Sequence, residues 1–267
     1  MINPKFAAVL FDCDGVLVDS ELITNQVLCD MLNQIGWKIS LEETMQIFLG
    51  KAVKDEAVLI KQKTGHDIND DWLKSFALQR NMALKNKVQA IPHIHTAMQQ
   101  IALAYGKKIA CGSGADKQKV QMQLEKVELM AYFEDRIFSG HDTPRSKPFP
   151  DVYMAAAQHI QVNPKHCAVI EDSVIGVMAG VAAGATVFAY TSGLSHTQSK
   201  QDLLDAGFLE RGRQPCRGLW QCYALRVGLH DATVGHAGGD AGDRARRIVG
   251  PASFRWPGVR EHGGAAT

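Results

Sequence analysis

No apolar run in the 267 residues approaches the roughly 18 consecutive apolar positions of a membrane span. The stretch after Met1-Ile-Asn-Pro-Lys holds only a handful of apolar residues, too few for a secretory signal. The six cysteines, at positions 13, 29, 111, 167, 216 and 222, form no CxxC pair, which argues against a zinc site or a disulfide framework. Excess charge is nearly absent as well. A net charge of +1 gives no basic surface for nucleic acid or an anionic membrane, so neither partner is expected. These absences predict a soluble, cytoplasmic protein. The 46% hydrophobic content suffices for one large domain or two smaller ones, and the sequence sets no oligomeric state.

One further absence divides the chain. Residues 1–207 hold 17 Lys and 3 Arg, whereas residues 208–267 hold no Lys, 9 Arg and 11 Gly. Apolar periodicity stops at the same point, near "LLDAGFLERGRQP". The segment 208–267 reads either as a disordered Gly/Arg-rich tail or as coding sequence read in a shifted frame. With five acids against nine arginines it is a weak candidate for nucleic-acid binding. On either main reading the function lies upstream.

Upstream, the stretch "VLFDCDGVLVDSE" places Asp12 and Asp14 directly after an apolar run, with Gly15 behind them. The run 7–11 has the pattern of a buried parallel strand. Residues 21–87 are helical in pattern throughout. Leu22, Ile23, Val27, Leu28, Met31, Leu32 and Ile35 recur at three-to-four spacing and Gly36 stops them. Ser40-Leu-Glu-Glu43 is a capping box opening the next helix, and two more helical segments follow near 51–64 and 70–87. Strands at 108–113, 136–140, 167–172 and 186–190 then alternate with helices at 92–105, 116–127, 150–160 and 174–183. That alternation predicts a doubly wound, Rossmann-like parallel α/β sheet, with an all-helical insertion long enough to be a small domain.

In such sheets ligands bind beyond the carboxyl ends of the strands. Asp12 and Asp14 end one strand, Ser113 and Gly114 another, Glu171 and Asp172 a third, and Lys147 stands in the loop "SGHDTPRSKPFP". The result is a set of carboxylates with one hydroxyl and one ammonium. Crowded carboxylates repel each other, and oxygen-only ligands select a hard divalent cation such as Mg²⁺. Lys147 and Ser113 suit a second, many-oxygened anion, and a phosphoryl group fits. Taken singly, Ser113 is an ordinary turn residue, Lys147 a solvated lysine, and Asp12 and Asp14 strand-end caps. Their common placement at the strand ends favours a site. His93 and His95, two apart at a helix start, point to different sides and make no metal pair. Cys13 has no evident base and reads as packing.

"FDCDGVLVDSE", "IACGSG", Lys147 in "RSKPFPD" and "VIEDSVIGVMAG" resemble, in order and spacing, the four motifs of the haloacid dehalogenase superfamily. The resemblance is closest to its phosphatase and β-phosphoglucomutase-like branch, spans about residues 6–206, and implies a core at 1–19 and 88–207 with a helical cap at 20–87. It implies Asp12 as nucleophile, forming an aspartyl-phosphate, and Asp14 as general acid and then base. It further implies Ser113 and Gly114 at the phosphate, Lys147 neutralising charge, and Mg²⁺ on Asp12, the Asp14 carbonyl, Asp172 and Glu171. Lys51 and Lys54, in the cap, are candidates for reading an anionic part of the substrate. The implied activity is Mg²⁺-dependent hydrolysis of a small phosphorylated metabolite, a sugar phosphate or phospho-sugar acid. Two alternatives stand beside it. A phosphosugar mutase is disfavoured because Thr24 occupies the place where mutases of this type carry histidine. An inactive or regulatory relative is the other, because members usually carry one more strand and helix after "DAG", where this chain turns Gly/Arg-rich.

Overall fold

The computed structural model describes residues 5–48 and 52–190. The 208–267 segment and Lys51 lie outside the described residues. In chain order the elements are β1 (Ala8–Phe11), β2 (Val18–Asp19), α1 (Glu21–Gln34), α2 (Leu41–Phe48), α3 (Ala57–Thr64), α4 (Asp70–Lys87), β3 (Gln89–Ala90) and α5 (Ile94–Tyr105). There follow β4 (Ile109–Ser113), α6 (Lys117–Lys126), α7 (Met130–Phe133), β5 (Ile137–Ser139), α8 (Asp151–His159), β6 (Cys167–Glu171), α9 (Val174–Ala182) and β7 (Thr186–Ala189). Short 3₁₀ turns at Val53–Glu56 and Pro164–His166 complete them.

Among the described residues five strands form one parallel sheet in the order β5-β4-β1-β6-β7. The chain builds outward from β1 to β5 on one side and then crosses back to β6 and β7. Order therefore reverses at the central strand, and the crevice of a doubly wound sheet lies at its carboxyl end. Strand β1 is buried on both faces, as an all-parallel sheet requires. Val9 and Phe11 pack one way, with Met98, Ile101 and Phe133, while Ala8 and Leu10 pack the other, with Tyr153, Ala156 and Val177. Phe11 meets Phe133 edge to face at 6.1 Å.

The helical insertion has its own core. Leu28, Leu32, Trp37, Phe48, Ile60 and Phe76 bury one another, with Trp37 edge-on to Phe48 at 6.0 Å. The capping box forms as the sequence predicts: Glu43 N donates to Ser40 Oγ at 3.2 Å, and Ser40 N to Glu43 Oε2 at 2.9 Å. Where the chain leaves and re-enters the sheet body, β2 and β3 pair as a two-residue antiparallel ribbon, and Ile91 N closes on Leu17 O at 3.0 Å. Sequence periodicity does not predict this ribbon, because two residues cannot show a period. Arg80 of α4 pairs with Asp116 at 3.0 Å, and Asp116 is also the N-cap of α6. Among the described residues no helix is long and apolar enough to cross a membrane.

Candidate active site

Parallel strands β1 and β6 run in register from Ala8↔Cys167 to Phe11↔Ile170, which brings Asp12 beside Glu171 and Asp172. All three are buried. Each offers a carboxylate oxygen, and the three oxygens lie within 4.8 Å of one another. Lys147 reaches in from the loop after β5. Its Nζ donates to Asp12 Oδ1 and to Glu171 Oε1, both at 2.6 Å, with only 4% of its side chain exposed. Three carboxylates against one ammonium leave two uncompensated negative charges in a buried place. That deficit, with an all-oxygen donor set, fits a divalent hard cation.

The proton affinities record the same deficit. Burial pushes the Asp12 carboxyl up to about 7, against the pull of Lys147, with Glu171 and Asp14 adding to the rise. Asp172 is raised by burial and by the negative charges of Glu171, Asp12 and Glu21. Burial alone would pull Lys147 down, but Asp12 and Glu171 outweigh it and hold its ammonium charged.

Glu171 is more heavily bonded than a free ligand would be. Oε1 accepts from Lys147 and from Tyr153 OH at 2.7 Å, while Oε2 accepts from Asp172 N at 3.0 Å and from Ser173 N and Oγ at 3.1 Å. Five donors occupy its lone pairs, so it anchors Lys147 more readily than it ligates a metal. Space for it comes from Gly176 on the first turn of α9, where a Cβ would lie 1.8 Å from Oε1. At the other end Gly15, at φ +76°, turns the chain after Asp14, and a Cβ there would lie 1.9 Å from Asp172 Oδ2.

The Asp14 side chain stands in a neighbouring cluster. Its carboxylate accepts from Lys119 Nζ at 2.8 and 2.9 Å, from Gln123 Nε2 at 3.0 Å and from Ser20 Oγ. Burial alone would raise it, but the Lys119 ammonium and the hydrogen bonds of Lys119, Ser20 and Gln123 outweigh that and hold it at about 2. Ser113, buried at the end of β4, accepts from Ala115 N at 3.1 Å, and Gly114 follows it half-buried. Lys54 is exposed on the 3₁₀ turn Val53–Glu56 and has no part in either cluster.

Lys119, Gln123, Ser20 and Tyr153 are the residues that sequence reasoning missed. One signal was available for two of them. The buried stripe of α6 is Lys119, Val120, Gln123 and Leu124, at one helical period, so two polar residues share the inward face with two apolar ones.

A doubly wound parallel sheet carrying buried carboxylates and a lysine at the reversal point puts the chain among α/β proteins with a ligand site at the strand ends. The family model described as haloacid dehalogenase-like hydrolase matches residues 6–184, and the chain belongs to that family; it is a hydrolase. A curated relative, the 6-phosphogluconate phosphatase of Escherichia coli (strain K12), is 28% identical over 70% of this chain and 83% of its own length. A conserved haloacid dehalogenase-like protein of unknown function from Agrobacterium tumefaciens superposes with a TM-score of 0.70 at 29% identity, covering 84% of this chain and 99% of that one. A family hydrolase from Deinococcus radiodurans, solved with bound phosphate and sodium, gives 0.63 at 32% identity, covering 77% and 90%.

Proposed function

We propose that the chain is a Mg²⁺-dependent phosphatase that hydrolyses a small sugar phosphate or phospho-sugar acid through an aspartyl-phosphate on Asp12. The observation that carries this reading is Lys147 bridging Asp12 and Glu171 at 2.6 Å beside Asp172, at the carboxyl end of the central strand. The relative named as a 6-phosphogluconate phosphatase supports the substrate class.

Each residue has a part in the chemistry. Lys147 holds Asp12 by Oδ1, and the other oxygen attacks phosphorus. Lys147 also offsets the charge that gathers on the phosphoryl oxygens. The Ser113 oxygen accepts from Ala115 N, which leaves its own proton for a phosphoryl oxygen, beside the main chain of Gly114. Asp14, a carboxylate in the free protein, takes the proton of the bound phosphate monoanion, gives it to the leaving oxygen and then takes one from the water that attacks the phosphoenzyme. Asp12, Asp172 and the Asp14 carbonyl would hold Mg²⁺, which supplies orientation of the phosphoryl group and charge compensation. The described residues within 20–87 form a cap, those within 5–19 and 88–190 the core, and a lidded site favours small substrates. Of the two cap candidates, Lys51 and Lys54, Lys54 lies among the described residues and is assigned to an anionic substrate group. Lys54→Ala should raise KM for phospho-sugar acids with kcat kept, and an unchanged KM removes the assignment.

The test is a phosphate-release screen over sugar phosphates and phospho-sugar acids, with and without Mg²⁺, alongside Asp12→Asn. Metal-dependent release lost in Asp12→Asn is expected. Release that ignores both metal and the substitution contradicts the reading. Interconversion of sugar phosphates without release would select the mutase instead.

A further inference from the structure

Three side chains from outside the four strand-end segments converge on Asp14. Lys119 sits on the first turn of α6, Gln123 one turn further along, and Ser20 between β2 and α1. Their donors are unevenly shared. Asp14 Oδ1 accepts from Lys119 Nζ at 2.8 Å, from Gln123 Nε2 at 3.0 Å and from Ser20 Oγ, whereas Oδ2 accepts from Lys119 Nζ alone, at 2.9 Å. Three donors saturate Oδ1, and Oδ2 keeps a lone pair.

The arrangement is not what helix stability would select. The Lys119 side chain is only 7% exposed, and Gln123 is fully buried. Burying an ammonium and an amide is unfavourable unless both are bonded. Gln123 Oε1 is one of two buried side-chain atoms among the described residues that have no partner. An apolar residue at 123 would continue the stripe of Val120 and Leu124 without that cost. What the polar pair gains is one carboxylate. The helix that carries it is itself fixed at its start, where Asp116 Oδ1 accepts from Lys119 N at 2.8 Å and Asp116 Oδ2 pairs with Arg80 at 3.0 Å.

We propose that Lys119 is a positioning residue for Asp14: with Gln123 and Ser20 it fixes Oδ1 and leaves Oδ2 as the one oxygen that exchanges the proton. The inference rests on the reading of Asp14 as proton donor and acceptor. The steps it serves balance. Oδ2, part of a carboxylate in the free protein, first takes the proton of a singly ionised phosphate monoester. As the Asp12 oxygen bonds to phosphorus, the bond from phosphorus to the leaving oxygen breaks and that oxygen takes this proton from Oδ2. Water then bonds to phosphorus, its proton returns to Oδ2, and the Asp12–phosphorus bond breaks, releasing phosphate. Lys119 touches neither substrate nor water in this scheme.

The test uses p-nitrophenyl phosphate with Mg²⁺ and the full chain. p-Nitrophenolate leaves without needing a proton, so a misplaced Asp14 spares the first half-reaction and slows the second. Lys119→Met should lower steady-state kcat roughly ten- to a hundredfold, the scale of misplacing a catalytic group. It should also give a burst of about one p-nitrophenolate per enzyme and an acid-stable excess of phosphoenzyme. Lys119→Arg should recover most of the turnover, and Gln123→Leu should give the same burst with a smaller loss. Turnover of Lys119→Met within twofold of the parent overturns the inference. So does a loss with no phosphoenzyme accumulation that Lys119→Arg leaves unrepaired, since that is a structural defect alone. If Lys119→Met does not fold, a burst in Gln123→Leu or Ser20→Ala supports the inference, and its absence from both overturns it. Asp12→Asn and Asp14→Asn serve as references. If either keeps full turnover the functional reading itself fails, whereas loss in both with Lys119→Met silent sinks only the positioning role.

Discussion

Replacing Glu171 by glutamine keeps the shape of the side chain and removes one charge at a fully buried position. The amide has two possible orientations, and both are poor. With its NH₂ toward Asp172 N and Ser173 N it would face two backbone donors at 3.0 and 3.1 Å that cannot rotate away. With its NH₂ toward Lys147 it would face an ammonium 2.6 Å away, the lesser conflict because a lysine can move. The cost is at least one charge-assisted hydrogen bond, about 1.5–3 kcal/mol, and approaches the about 3–5 kcal/mol of a broken buried pair. Taking about 3 kcal/mol, the melting temperature should fall by about 6–12 °C in a chain of this size. Lys147 would then be held by Asp12 alone, and kcat should fall about tenfold or more. Thermal melts followed by circular dichroism, with phosphate-release kinetics on the same preparations, read both effects. A Glu171→Gln protein that melts within 2 °C of the parent and turns over at the parent rate would refute the claim that Glu171 anchors the site lysine.

Two further outcomes follow from the same geometry. Gly15→Ala places a Cβ 1.9 Å from Asp172 Oδ2 at φ +76°. It should lose about 1–2 kcal/mol to left-handed strain and raise the Mg²⁺ concentration for half-maximal activity, and an unchanged metal requirement would contradict the placement of Asp172. Mg²⁺ added to the metal-free protein should raise its melting temperature, by about 2.7 kcal/mol of stabilisation at a hundred times Kd, and Asp172→Asn should abolish most of the rise. A parent protein indifferent to Mg²⁺ would speak against a cation held by Asp12, Asp172 and the Asp14 carbonyl.

The strands of the parallel sheet were legible because they are short, largely apolar runs, and those that carry the site end in polar residues. The runs expected at 108–113 and 167–172 are Ile109–Ser113 and Cys167–Glu171 in the structure. The helices of the insertion were legible from apolar spacing and from signals such as Ser40 and Gly36. The β2–β3 ribbon and the four-residue α7 were not, since neither is long enough to show a period. Within the site, the sequence marks Asp12, Asp14, Lys147, Glu171 and Asp172 because they stand at strand ends or beside turn residues. It does not mark Lys119, which lies among Lys117, Gln118 and Gln121 in a polar helix. Nor does it mark Tyr153, whose hydroxyl reaches Glu171 from a helix that otherwise packs on the sheet. Both act through tertiary placement, which residue spacing along the chain records only as an inward stripe.

The most direct test of the account is to quench the enzyme in acid during turnover and find the phosphoryl group by peptide mass spectrometry. The account predicts one phosphoryl group on the peptide carrying Asp12, present only with divalent metal and missing from Asp12→Asn. Turnover with no such adduct, or with the group on a different residue, would contradict it.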